Sequence, residues 1–334
     1  MNLYTKVDIP ATNFKIDYSS RLAFFGSCFA DNISAQFAER KFKVMANPFG
    51  TVYNPISLAS QLKAIAEGKV FKDKDVFKDE RCDGLWHCWS AHSSLSAHTR
   101  EESIDKLNAA TMQTRDFLQK ADIVFVTLGT SFVYFLKGNG EPVSNCHRQD
   151  PNLFTRRMIS VEEATDAIRE IVASFRLLNP NASIVLTVSP LRHMSDGTHN
   201  NTLSKATLQL AINEIVKHGS GIAASAGAFI EYFPSYEIVM DELRDYRFYE
   251  SDMVHLSRTA EEYIFKRMAD TYCSEITRGH IAKVEKFLKG ARHRVQDESS
   301  PATQDFLKKI NAQAAQLETE IPGLNLSDEK RPVK

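Results

Sequence analysis

Three groups of residues, far apart in the chain, have the types and spacing to do chemistry together. The first is Gly26-Ser27-Cys28-Phe29-Ala30, which directly follows the apolar run Leu22-Ala23-Phe24-Phe25. A β-type run that ends on glycine and passes at once into a helical pattern lifts the next side chain clear of the backbone. It also sets that side chain at the positive end of a helix. Here the side chain is the Ser27 hydroxyl, with the Cys28 thiol beside it, so a nucleophile is expected at this point. The second group is Asp252-Met253-Val254-His255. A carboxylate and an imidazole three residues apart can share one turn. Asp252 would then fix the tautomer of His255 and leave the other ring nitrogen to accept the serine proton. The third group is a pair of glycine-bearing segments, Asn47-Pro48-Phe49-Gly50-Thr51 and Thr127-Leu128-Gly129-Thr130, where backbone can approach a ligand closely.

Each of these residues has a plainer use. Serine is a common helix N-cap, and Ser27 stands where one is needed. Cys28 offers a thiol nucleophile with His255 as partner, but free cysteine is more often a small buried hydrophobe. Cys82, His87, Cys88 and His92 cluster in sequence. Their Cys-x5-Cys spacing is not that of a zinc knuckle and no second pair follows, so no metal is expected. Trp86 and Trp89 suit either a sugar-stacking platform or a packing contact. Trp86, His87, His147 and His193 are candidates for substrate contact, with a structural hydrogen bond as the alternative for each histidine. The charged run Asp241 to Arg247 reads as a solvated helix face or as a support for the Asp252 segment.

The elements that must position these groups alternate in type. Arg21 to Phe25, Phe42 to Ala46, Asp122 to Leu128, Ser183 to Val188 and Ala228 to Tyr232 read as strands. Helices are predicted over Phe29 to Lys41, Asn54 to Glu67, Ser160 to Leu178, Thr202 to Val216 and Thr259 to Thr277. Asn54-Pro55 has the form of an N-cap and first helical residue, and Ser160-Val161-Glu162-Glu163 that of a capping box. This alternation predicts a parallel sheet covered by helices on both faces. Two long insertions, about 69–100 and 132–152, interrupt it, the second with a hairpin turn at Lys137-Gly138-Asn139-Gly140. Beyond Arg278, charged helical segments (Ile281 to Lys289, Thr303 to Leu317) flank a polar stretch at Gln296 to Pro301, and a disordered tail is expected from Leu326.

Composition narrows the function further. The 334 residues carry 41 basic and 42 acidic side chains, a net charge of -1, so no global field recommends nucleic acid or an anionic membrane as partner. The first residues contain no apolar signal core and no later run is long enough to span a bilayer. The five cysteines are an odd number in a large chain, which suits a reducing compartment. A cytoplasmic protein is therefore expected.

The blocks quoted above resemble those of the GSCFA family, whose eponymous motif is Gly26-Ser27-Cys28-Phe29-Ala30. The likeness extends through Asn47 to Pro55, Leu85-Trp86-His87, Thr127 to Thr130, Asn145-Cys146-His147, Ser189-Pro190-Leu191-Arg192-His193, Tyr232 to Glu237 and Asp252 to His255. That family in turn resembles the SGNH/GDSL hydrolases. The resemblance implies a three-layer α/β/α, flavodoxin-like catalytic domain over residues 1–278, with a helical extension over 279–334. It implies a serine esterase using Ser27, Asp252 and His255, needing no cofactor, with the Ser27 and Gly50 N–H groups in the oxyanion hole. The superfamily's third donor, an asparagine, is replaced by serine in Gly129-Thr130-Ser131, so Thr130, Ser131 or Asn145 must substitute. By analogy the substrate is a small-molecule or glycan O-acyl ester, an O-acetyl sugar for instance. An O-acyltransferase on the same triad and a catalytically silent carbohydrate-binding protein are the alternatives.

Overall fold

A computed structural model describes residues 5–218, 227–293 and 300–332. Strand β1 (Arg21–Gly26) passes through Ser27 into helix α1 (Cys28–Glu39) and the chain returns as β2 (Lys43–Ala46). Helix α2 (Pro55–Ala66), a two-stranded pair β3 (Phe77–Lys78) and β4 (Trp86–His87), helix α3 (Arg100–Leu118) and strand β5 (Ile123–Leu128) follow. A small antiparallel sheet comes next, built from β6 (Phe132–Leu136), β7 (Pro142–Val143) and β8 (Phe154–Met158). The main pattern resumes with α4 (Val161–Leu178), β9 (Ser183–Val188), α5 (Thr198–His218) and β10 (Ile230–Tyr232). The single turn α6 (Ser235–Glu237) and helices α7 (Arg258–Tyr272), α8 (Glu275–Ala291) and α9 (Pro301–Glu320) complete the described chain.

The central sheet has five parallel strands in the order β10-β9-β5-β1-β2. Alternation along each strand explains the three layers. In β1, Leu22 and Phe24 enter one core with Phe29, Ile33 and Phe37 of α1 and with residues of α7, α8 and α9. Ala23 and Phe25 enter the other core, with residues of α2, α3, α4 and α5. Every residue of β5 and β9 is buried, as expected for strands covered on both faces. The chain leaves β1 towards β2 on one side and later comes back to β5 on the other. Ser27 therefore sits at the topological switch point, beyond the carboxyl end of β1, where such sheets hold ligands.

Local signals explain most boundaries. The Asn54 side chain accepts the Ser57 N–H at 2.8 Å and Pro55 opens α2. The Ser160–Glu163 capping box opens α4. Four features depart from the sequence reading. Helix α3 is absent from it, because the buried stripe of α3 mixes Leu107 and Leu118 with Ser103, Thr111 and Thr114 and so blurs the apolar period. Strand β8 is also absent from it, since only Phe154 of its five residues is buried. The helix expected to run to Thr277 ends at Tyr272, and Ser274 caps a new one by accepting the Thr277 N–H at 3.1 Å.

The fourth departure is the tail. Leu326 is fully buried, Lys41 pairs with Glu329 at 2.7 Å, and Arg331 donates to the Ala291 carbonyl at 3.0 Å, so residues up to 332 pack on the body instead of forming a disordered end. Ile281, Val284, Phe287 and Ile310 share one core with β1 and α1. The core therefore runs unbroken across the expected division after residue 278. Most of the polar stretch, Gln296 to Ser299, lies outside the described residues. No helix among the described residues is long and apolar enough to cross a membrane.

Candidate active site

The loop after β2 and the end of β5 hold the Ser27 backbone. The Gly26 N–H donates to Asn47 Oδ1 at 2.8 Å, its carbonyl accepts the Val52 N–H at 2.9 Å, and the Ser27 N–H donates to the Thr127 carbonyl at 3.0 Å. Gly26 has φ +121°, and a Cβ there would stand 2.0 Å from the Thr127 oxygen. Glycine is thus required for the β1 end to lie against β5. Asn47 also donates to Asp31 Oδ1 at 2.7 Å, tying the loop after β2 to the first turn of α1.

Ser27 occupies the N-cap position of α1, yet its side chain caps nothing. Its Oγ is buried, with the residue 1 % exposed, and has no hydrogen-bond partner among the described residues. Such a group is rare in a packed interior and marks the hydroxyl as held for another purpose. Ser27 lines a cavity of about 620 Å³, together with Cys28, Thr51, Tyr53, Asn145, Arg192, His193 and His255 among others.

The Asp252 segment is built as the spacing suggested. Asp252 Oδ1 accepts the N–H groups of Val254 and His255, both at 2.9 Å, and Oδ2 lies 2.5 Å from His255 Nδ1. Met253, in the middle of this turn, takes φ +58°, a left-handed conformation that costs a non-glycine residue energy. The hydrogen bond from His255, followed by those from the two backbone N–H groups, holds the Asp252 carboxyl down to about 2. With Nδ1 bound to the carboxylate, Nε2 is the free nitrogen. His255 faces the same cavity as Ser27, with its side chain 54 % exposed, but makes no hydrogen bond to Ser27 Oγ. The Asp–His pair is formed and the Ser–His link is open, as is common in unliganded sites.

The groups expected to line an oxyanion hole have other partners in this structure. Both backbone donors are already committed: the Ser27 N–H to Thr127, and the Gly50 N–H to the Asn47 carbonyl at 2.7 Å. Gly50 is instead required by packing, because a Cβ there would meet His92 Cβ at 2.0 Å. Thr130 is engaged too. Its N–H donates to the Tyr53 carbonyl at 2.9 Å, while its hydroxyl lies 3.0 Å from Ser204 Oγ and accepts the Phe132 N–H. The Ser131 hydroxyl is buried and does not line the cavity.

Other donors at the cavity are less committed. The Thr51 N–H has no hydrogen-bond partner among the described residues, the Cys28 N–H reaches no carbonyl and turns only to its own sulfur, and both residues line the cavity. Asn145 lines it as well. Its Oδ1 accepts the His147 N–H at 2.8 Å, which leaves Nδ2 without a described partner.

Of the four candidates for substrate contact, only His193 lines the cavity. Its ring meets Tyr53 edge-on at 5.4 Å, and burial, reinforced by the Lys205 charge, lowers its pKa to about 4, so it is neutral at pH 7. Trp86, His87 and His147 lie outside it. Trp86 carries the Arg100 guanidinium at 5.1 Å. His87 bonds Ser96 and Asp83 and stacks on His147 at 4.2 Å. His147 Nε2 lies 2.9 Å from the Cys88 carbonyl, and burial lowers its pKa to about 4. This aromatic group underpins the Asn145 loop, since the Trp89 carbonyl accepts the N–H groups of Ser144 and Asn145. These side chains pack beneath the loop instead of lining the cavity, a distinction that residue types alone could not make.

Cys28 lines the cavity, but burial first and Asp31 second push its thiol pKa up, against a thiolate at neutral pH. Among the described residues Cys82 and Cys88 join no metal-like group. The one such group among the described residues is Asp79, Asp83 and His87, where Asp79 already accepts the N–H groups of Arg81, Cys82 and Asp83.

Lys205 is the residue that sequence reasoning missed. It is 1 % exposed, on α5, and donates to the carbonyls of Gly129 at 2.6 Å and Ser189 at 2.7 Å, just past the ends of β5 and β9. Burial lowers its pKa to about 7. A signal did exist: Asn201, Lys205, Leu208 and Ile212 share one helical face, so a lysine stood within the buried stripe of a predicted helix.

Fold and site define an α/β protein with an isolated serine hydroxyl at the switch point of a parallel sheet. The chain belongs to the GSCFA family: the family model matches residues 21–268, and that of the GSCFA domain protein C-terminal domain matches residues 284–334. No curated protein matches the sequence. Among solved structures, a carbohydrate esterase family 3 from Talaromyces cellulolyticus is similar at 12 % identity, covering 52 % of this chain and 64 % of its own, with a TM-score of 0.28. An acetyl xylan esterase from the rumen bacterium Butyrivibrio proteoclasticus is similar at 15 % identity, covering 76 % and 64 %, with a TM-score of 0.33. The chain thus spans under two thirds of the length of each.

Proposed function

We propose that this protein is a serine hydrolase that cleaves an O-acyl ester of a carbohydrate. The observation that carries the reading is the unpartnered Ser27 Oγ in one cavity with His255, whose Nδ1 is fixed by Asp252. Ser27 Oγ attacks the ester carbonyl while His255 Nε2 takes its proton. The resulting imidazolium, stabilised by Asp252, returns that proton to the departing alcohol. Water then repeats the sequence on the acyl-enzyme, releasing the acid and restoring Ser27. The oxyanion is held by the Thr51 N–H and Asn145 Nδ2, with the Cys28 N–H turning to it from its own sulfur at the positive end of α1. Before attack, Ser27 and His255 must close to hydrogen-bond distance. The hydroxyl, amide and imidazole groups around the cavity suit a polyhydroxylated alcohol.

Labelling with a fluorophosphonate probe, together with hydrolysis of 4-nitrophenyl acetate, tests this. Ser27→Ala abolishes both, whereas Cys28→Ala retains labelling. Turnover that survives in Ser27→Ala sinks the proposal. A second reading, a binding protein without catalysis, is favoured by the open Ser–His link and the two committed N–H groups; absence of labelling in the wild-type protein would support it.

A further inference from the structure

The charges around the cavity are lopsided. Its lining holds two guanidinium groups, Arg156 and Arg192, and three imidazoles, His92, His193 and His255, but no carboxylate. Two of these groups are answered from behind. His255 bonds Asp252, and Arg156 bonds Asp196, whose side chain is 2 % exposed. Arg192 is not answered. Its one side-chain hydrogen bond to the described residues runs from Nη2 to Met240 Sδ at 3.7 Å, and a thioether is a weak acceptor. Arg192 is half-buried. Among the described residues the nearby Lys205 is likewise bonded only to carbonyls. A partly desolvated guanidinium without a counterion is unfavourable unless a ligand supplies one, and its planar fork matches a carboxylate or a phosphate.

Position indicates where that anion sits. Arg192 lies just beyond the end of β9 and Ser27 beyond the end of β1, with β5 between them. Two strand spacings separate those ends by about 10 Å. Ser27 and Arg192 line the same cavity, so one small molecule can place its ester at the first and an acidic group at the second.

We propose that the ester taken by this cavity bears a second, anionic group, a carboxylate or phosphate, bound by Arg192; its substrate is an acylated sugar acid or sugar phosphate. The proposal rests on the esterase reading for the word "ester", but the anion site can be tested without turnover. Calorimetric titration compares methyl glucoside, methyl glucuronoside and methyl glucoside 6-phosphate binding to the wild-type protein. At least one anionic sugar binds about tenfold or more tightly than the neutral one, and which of the two does so separates carboxylate from phosphate. Arg192→Gln brings that ratio close to one, and Arg192→Lys, which keeps the charge but not the fork, restores part of it. Lys286→Gln, an exposed change on α8, leaves the ratio in place. Equal affinities, no measurable binding of either anion, or a preference that persists in Arg192→Gln overturns the proposal. The O-acetyl derivatives then test the other reading: an intact anion preference without hydrolysis removes the esterase and leaves the anion site.

Discussion

Lys205→Met measures what it takes to keep a cation beneath this site. In the folded protein burial holds the Lys205 pKa at about 7, against 10.5 for an ordinary lysine. The sign follows from proton counting. Between these values the unfolded chain still binds the proton that the folded state has released, so stability rises with pH across the window from about 7 to 10.5. The burden is therefore full below pH 7 and relieved above it. From pH 6 to pH 9 about two of the roughly 3.5 pK units are recovered, which is about 3 kcal/mol. Methionine has nothing to titrate, and it leaves the Gly129 and Ser189 carbonyls without their donor, at about 1–3 kcal/mol each at every pH. Urea unfolding of both proteins at pH 6, 7.5 and 9 reads the difference, with other titrating groups cancelling between them. The advantage of wild type over Lys205→Met grows by about 3 kcal/mol from pH 6 to pH 9. A gap that stays flat or narrows refutes the claim that Lys205 is a buried, readily discharged cation.

Other outcomes follow from single contacts. Asp252→Asn frees the His255 tautomer and lowers kcat on an acetyl ester by about 10³–10⁴-fold with little change in the unfolding midpoint. Asn145→Ala removes a free donor and lowers kcat by about 10²-fold with KM nearly unchanged; Thr130→Val, whose hydroxyl is already engaged, gives a loss of stability and a much smaller loss of rate. Gly26→Ala drives a methyl group into the Thr127 carbonyl and costs at least about 2 kcal/mol in urea unfolding, since neither backbone partner can yield.

Much of the fold was legible because its signals are local. The apolar runs of β1, β5 and β9, the Asn54 cap and the Ser160 capping box each act within a few residues of themselves, so neighbours in sequence suffice to place them. Helix α3 and strand β8 were not legible because the buried stripe of α3 mixes polar with apolar residues and β8 buries only Phe154, so only packing against the rest of the chain selects them. The same limit applies to the C-terminal tail, whose anchors Lys41 and Ala291 lie far away in sequence.

For the site, sequence by itself determined the chemistry on offer: a serine where a strand turns into a helix, and an Asp-x-x-His turn that orders its own imidazole. Both follow from backbone geometry over four or five residues. Tertiary structure alone decided which backbone donors are free. Thr127 and Asn47 take the N–H groups of Ser27 and Gly50, and Asn145 arrives on a loop carried by the Trp89 and His147 cluster. It also decided which cations lack a counterion. A hydrogen bond or an ion pair is spent on whichever partner comes close in space, and spacing along the chain does not record that.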